Sequence, residues 1–263
     1  MKKIFMILLS VSMIFCLSSC GGNNTEEKEI VLIDEFMVEL ENVAKAKQNV
    51  GEEVTVFGRI KEIHTNYCVV ESMKIENPEV IVRMSTKKLA ELSVDDFIAV
   101  TGKIKSYSLF GNTYSVKAKI FEEDAVMDEI FRGYIADFES GSYLSGTTLV
   151  NEYNHEFMWG YVCSRGNTFL INDDEELRNY LVGKWEEARF VSGTPSYIDS
   201  VEFKADGTYF WDKSSTYDQK GNWSVSNGRL ESFIGTYPRE VYVVSDNIFI
   251  CQVTPNVRIT EEN

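Results

Sequence analysis

Val54-Thr55-Val56-Phe57-Gly58-Arg59-Ile60-Lys61-Glu62-Ile63 and its echo, Ile98-Ala99-Val100-Thr101-Gly102-Lys103-Ile104-Lys105-Ser106-Tyr107, decide how the first half of this chain is read. Each alternates apolar and polar residues around a central glycine, the pattern of a half-buried strand with a bulge or bend. Between them, Tyr67 to Met73 and Val80 to Met84 read as strands, and Thr86-Lys87-Lys88-Leu89-Ala90-Glu91-Leu92 as a short helix. Beyond the Gly111-Asn112 turn, Thr113 to Phe121 is a fifth strand. Upstream, Ile33, Phe36, Met37, Leu40, Val43 and Ala44 recur at helical spacing and predict one helix within 30–49.

Three strands, a helix and two strands is the order of an OB-fold, a small curved barrel. With the leading helix and the repeated V-x-G-x-I element, residues 32–122 resemble the tRNA-anticodon-binding-like OB domain of bacterial lipoproteins. The resemblance implies a five-stranded barrel with a leading helix.

The chain begins with Lys2, Lys3 and an apolar run from Ile4 to Leu17, shorter than the ~20 residues that span a bilayer. This is the pattern of a secretory signal. The sequence that follows, Leu17-Ser18-Ser19-Cys20-Gly21, resembles the bacterial lipobox, and the resemblance implies cleavage before Cys20 and its acylation. Residues 1–19 are then a signal peptide and 20–31 a polar tether. The expected location is the bacterial envelope, at the outer membrane, with the periplasmic and surface faces both open. Removal of Lys2 and Lys3 makes the formal charge two units more negative than −15. The field of such a chain repels nucleic acid and anionic lipid surfaces and favours cationic or neutral partners, and no nucleic-acid partner is expected.

The last portion, 173–263, opens with Asp173-Asp174-Glu175-Glu176, suited to a helix N-terminus, and continues as alternating runs. Asp206-Gly207, Asn227-Gly228 and Asp246-Asn247 separate those runs, which is the signal for tight hairpins and an up-and-down meander. Leu181-Val182-Gly183-Lys184-Trp185, Phe203-Lys204-Ala205-Asp206-Gly207-Thr208-Tyr209 and Gly221 to Leu230 resemble the short lipocalin-like domains of Bacteroidota lipoproteins. That resemblance implies a second small barrel with Trp185 at its floor, under an arginine of the last strand for which Arg258 is the candidate.

Residues 123–172 match no family by eye. Glu122 to Phe138 reads as a helix, and Thr147 to Tyr153, Glu156 to Cys163 and Thr168 to Ile171 as strands of a β-rich bridge. The whole is mainly β: an OB barrel with a leading helix, followed by a small up-and-down lipocalin-like barrel.

The residues do not assemble a reaction. His64 and His155 lie in separate segments, and there is no Gly-x-Ser-x-Gly elbow, P-loop, zinc spacing or calcium loop. The acidic clusters fall at segment starts, where capping accounts for them. Cys68, Cys163 and Cys251 sit in apolar surroundings and are expected as buried free thiols. No cofactor and no catalysis are expected, paired carboxylates being the one enzymatic alternative.

Binding or scaffolding is the remaining class. Tyr107, Phe110 and Tyr114, with Lys103, Lys105, Lys117 and Lys119, are the candidate ligand face of the first barrel, although residues 50–121 carry ten basic and nine acidic side chains. Tyr209 and Trp211, with Tyr197, Tyr217 and Tyr237, are candidates for the second. The expected partners are the lipid bilayer through Cys20, and an envelope protein, a glycan or a small apolar ligand.

Overall fold

The computed structural model describes residues 30–37, 40, 42–72, 79–109, 111–139, 152–191, 194–213, 219–231, 237–252 and 254–259. Cys20, with the rest of 1–29, lies outside them, as do Phe110, Tyr217 and residues 147–151. No helix among the described residues is long and apolar enough to cross a membrane.

The leading segment is two helices where one was expected, α1 (Asp34–Met37) and α2 (Val43–Gln48). Asn42 caps the second, accepting the Lys45 amide at 3.3 Å, so the chain turns where the apolar spacing alone would continue. Ahead of α1, Leu32 forms a parallel bridge with Thr55.

The first half is a closed barrel of β1 (Glu53–Ile63), β2 (Tyr67–Ser72), β3 (Glu79–Arg83), β4 (Phe97–Ser108) and β5 (Thr113–Phe121), with α3 (Thr86–Leu89) between β3 and β4. Their order around the barrel is β1-β2-β3-β5-β4, with β3 and β5 parallel. The inward positions, Val56, Ile60, Val70, Val82, Val100 and Val116 among them, form one core. The repeated glycines serve close strand approach. A Cβ on Gly58 would overlap the Glu71 carbonyl oxygen, and one on Gly102 the Lys117 carbonyl. A bulge or bend was expected at Gly58; the register shift of β1 against β2 falls between Ile60 and Glu62.

The middle of the chain corrects the sequence reading. It holds α4 (Asp124–Glu139) and α5 (Glu152–Ser164), then a 3-10 turn at Gly166–Phe169 and a lone bridge from Leu170 to Tyr242, so neither Glu156 to Cys163 nor Thr168 to Ile171 is a strand. Phe157 and Tyr161 share one face of α5 at helical spacing and pack edge-on to Phe97, at 4.9 and 5.2 Å. Gly160 lies between them, where a Cβ would meet the Phe97 ring at 3.5 Å. Together with Phe57, Phe131 and Phe169 these side chains join Tyr242, Val244, Ile248 and Ile250 of the second half in a single buried cluster. The bridge between the barrels is therefore a helical core that both barrels share.

The second half follows α6 (Asp174–Leu181), which is capped by Asp173. Its strands are β6 (Gly183–Val191), β7 (Thr194–Phe203), β8 (Thr208–Lys213), β9 (Gln219–Asn222), β10 (Ser224–Ser226), β11 (Arg229–Glu231), β12 (Arg239–Glu240), β13 (Tyr242–Ser245), β14 (Ile248–Cys251) and β15 (Thr254–Arg258). They pair as a seven-stranded sheet, β13-β14-β15-β6-β7-β8-β9, and a three-stranded one, β10-β11-β12. Only Trp223 separates β9 from β10, and only Val241 separates β12 from β13. Through these two single-residue breaks every strand run has a partner on both sides, which closes an antiparallel up-and-down ring. Asn227 and Gly228, at φ 54° and 69°, make the tight turn their sequence predicts. The Asp174 carboxylate accepts both of their amides, pinning that hairpin to α6.

Candidate functional site

Outward residues of the first barrel divide into a covered and an open set. Phe57, Phe97 and Ala99 lie beneath α4 and α5. Farther along, Lys103 of β4 stands opposite Lys117 of β5, Lys117 opposite Arg83 of β3, and Arg83 opposite Tyr67 of β2. One row of outward side chains thus crosses four strands, three cations ending in an aromatic ring. Lys103, Lys117, Arg83, Lys105 and Lys119 are all exposed. Lys119 pairs with Glu53 at 3.4 Å, whereas Lys103, Lys105 and Lys117 meet no carboxylate within 4.0 Å among the described residues.

The aromatic end gathers three side chains, His64, Tyr67 and Arg83. His64 stacks on Tyr67 with ring centroids 4.3 Å apart and planes 19° off parallel, and its Nε2 is held 2.9 Å from Glu62 Oε2. Arg83 places its Cζ 5.8 Å from the Tyr67 centroid and donates from Nε to Ser115 Oγ at 2.9 Å. Away from this row, Arg59 and Lys61 are matched by Glu71 and Glu79 at 3.1, 3.5 and 2.6 Å. Local pairing therefore neutralises one end of the face and leaves the other cationic, a distinction the balanced charge of the domain conceals.

Most expected ligand residues serve packing. Tyr114 is 0 % exposed inside the first barrel, where its hydroxyl accepts from Asn49 Nδ2 at 3.0 Å, so it belongs to no ligand face. Its parity is the cause: Tyr114, Val116 and Ala118 point inward, while Lys117 between them and Lys119 after them are exposed. Tyr107 is half-buried, its ring 5.6 Å from Tyr114 and its hydroxyl within reach of the Leu40 carbonyl (3.0 Å) and Asn112 Oδ1 (2.7 Å). Sequence reasoning selected the lysines and missed Tyr67 and Arg83. The available signal was the turn His64-Thr65-Asn66 delivering an aromatic to the first outward position of β2.

In the second barrel Tyr209 is buried, its ring filling the space that a Cβ on Gly221 would enter, and Trp211 is half-buried above it. Trp185 is 0 % exposed and donates from Nε1 to the Leu181 carbonyl at 2.7 Å, with Arg258 Cζ 4.1 Å from its ring centroid. Tyr237 stands 81 % exposed in the loop before β12. The side chains of Tyr197 and His155 lie outside the described residues. One strand step beyond Trp185 and Arg258, Glu187 stands opposite Asn256, and Asp199 lies two residues before Val201, all three half-buried.

The three cysteines among the described residues, Cys68, Cys163 and Cys251, are free, and they differ. Cys68 is buried and Cys251 partly so, burial pushing each thiol up to about 11. Cys163, expected buried, is exposed because α5 turns that residue away from its packed face. No three acidic, histidine or cysteine side chains converge as a metal cage among the described residues.

Fold and face together define a mainly β protein of two barrels joined by a helical core, with one cationic, aromatic-ended outer sheet. No sequence profile of a known family matches the chain, and no curated protein matches it. Among solved structures it is similar to a candidate nucleic acid-binding lipoprotein from Klebsiella pneumoniae subsp. pneumoniae, at 13 % identity and a TM-score of 0.31, over 36 % of this chain and 91 % of that one.

Proposed function

We propose that this chain is a lipid-anchored envelope protein that binds and does not catalyse, presenting the open face of its first barrel to a partner. The Tyr67 ring carries this reading. It is flanked by His64 and Arg83 and lies on an outer sheet that the helices leave uncovered. The exposed His64 imidazole backed by Tyr67, with the Arg83 guanidinium beside that ring, suits the face and hydroxyls of a sugar, and barrels of this topology take oligosaccharides on their outer strands.

A glycan array probed with the chain from Gly21 onward tests it. Retention of a defined glycan, weakened about tenfold or more in Tyr67→Ala, is expected, a loss of about 1.4 kcal/mol. Binding unchanged in Tyr67→Ala sinks the Tyr67 site. No retained glycan shifts the reading to scaffolding of an envelope protein. Anchoring is tested apart, by fractionating cells that carry Cys20→Ala; membrane association equal to wild type removes the lipid anchor from the proposal.

A second reading has its own observation. The half-buried Glu187, Asp199 and Asn256 above a packed floor favour a small polar guest in the second barrel over an apolar one. In this form the chain is a carrier or sensor.

A further inference from the structure

Three unpaired lysines on one small outer sheet are anomalous in a chain of formal charge −15. Their neighbourhood is mixed in a particular way. Exposed apolar side chains accompany them: Leu109 at the β4–β5 hairpin, 55 % exposed, and Ile120 on β5, 42 % exposed. A cationic sheet edged with exposed aliphatics matches the chemistry of a bilayer interface, phosphate outside and acyl chain beneath.

Position points the same way. Val31 to Ile33 runs beside β1 at Thr55, Thr55 stands opposite Thr101 of β4, and the neighbouring row is Lys103–Lys117. Strands lie ~4.8 Å apart, so the described chain starts two to three strands, on the order of 10–15 Å, from the lysines. Nine residues lie between Cys20 and Ile30, and the ten Cα–Cα steps span at most about 35 Å. A lipid on Cys20 would hold this sheet within reach of its own membrane at high effective concentration.

We propose that the β4–β5 sheet, through Lys103, Lys105 and Lys117, docks the first barrel onto the anionic phospholipid surface of the membrane that carries the protein. The overall negative charge does not prevent it, because screening limits the surface potential to roughly 8–10 Å and only the facing side chains feel it. Docked in this way, the barrel keeps the Tyr67 end of the face, on β2, at the rim of the contact, open to a partner. The proposal takes only its setting from the anchored reading.

The test replaces the acyl group by an N-terminal histidine tag on the chain from Gly21, which retains every described element. The protein is held on nickel-chelating phosphatidylcholine vesicles, with or without about one third phosphatidylglycerol. Lysine acetylation read by mass spectrometry reports protection. Lys103, Lys105 and Lys117 are expected to label several-fold more slowly on the anionic vesicles, with Lys184 and Lys220 unchanged. Triple replacement Lys103→Gln, Lys105→Gln, Lys117→Gln is expected to lower retention against imidazole on anionic vesicles by about fivefold per lysine, to the level on neutral ones. Equal labelling of the three lysines on both vesicles overturns the proposal. So does stronger protection by a single-stranded DNA oligonucleotide in solution, which would make the sheet a polynucleotide site. Failure of the Cys20→Ala experiment would remove the natural anchor without touching this result.

Discussion

Arg258 holds its guanidinium 4.1 Å from the centre of the Trp185 ring while donating to the carbonyls of Val182 (3.0 Å) and Tyr180 (2.5 Å). Trp185 Nε1 takes the carbonyl between them, that of Leu181. These are the orphan acceptors at the end of α6, so one cation and one indole complete the helix and oppose the negative end of the helix dipole.

Replacing Arg258 with alanine leaves two part-buried acceptors without this donor and removes the cation from the ring. A loss of about 3 kcal/mol in urea unfolding is expected. Arg258→Lys is expected to recover less than half of it, because an ammonium lacks the planar fork that reaches both carbonyls. Wild-type stability in the lysine variant would show that charge alone suffices.

Gly58→Ala and Gly102→Ala each place a methyl group on a backbone carbonyl of the adjacent strand. Each is expected to cost about 3 kcal/mol or more, as a core overlap that no side-chain rotation relieves. Gly111→Ala, whose Cβ would come no closer than 3.5 Å to Thr113, is the tolerated comparison. Thermal midpoints of the three variants decide the point.

The same glycines show why the first barrel was legible. Bend, alternation and turn are local signals, and Val54 to Ile63 carries all three. Phe157-Met158-Trp159-Gly160-Tyr161-Val162 carries none: it is apolar throughout apart from one glycine, so no period separates strand from helix. What fixes α5 is Phe57 and Phe97, distant residues of the first barrel. The candidate site was half legible for a related reason. Alternation shows that the lysines face out, and by the same rule it places Tyr114 inside. The alignment of Tyr67, Arg83, Lys117 and Lys103 depends on strand order and register, including the parallel β3–β5 pairing that sequence adjacency does not reveal.

Thiol reactivity is expected to separate Cys68, Cys163 and Cys251, which the sequence treated alike. At pH 8 and under native conditions iodoacetamide should modify Cys163 first, in its exposed position. Cys68 and Cys251, both raised to about 11, should react at least about a hundredfold more slowly than a free thiol, from thiolate fraction alone. Peptide mass spectrometry after timed quenching reads the order. Comparable rates at Cys68 and Cys163 would contradict the buried assignment.

Glu240 predicts an acid-side loss of stability. The Tyr242 hydroxyl, at 2.8 Å, and then Arg229, at 2.7 Å, hold its carboxyl below the ordinary value. A depressed native pKa stabilises the fold fully above the unfolded value, and the gain disappears as pH falls through the native one. Glu240→Gln should therefore lower the thermal midpoint at pH 7, and the gap to wild type should close below about pH 4. A gap independent of pH would assign the effect to geometry.

The bridge between Leu32 and Thr55 also has a mechanical meaning. Ile33 donates to Thr55 and Thr55 to Val31, at 2.9 and 2.8 Å, and the Asp34 carboxylate accepts from the Tyr134 hydroxyl. A load pulling on the chain ahead of residue 30 meets these bonds side by side, as a shear along β1, and passes through Tyr134 into the aromatic mass between the barrels. A pull on the chain ahead of residue 30 therefore reaches the core that both barrels share and does not unzip the first from its edge.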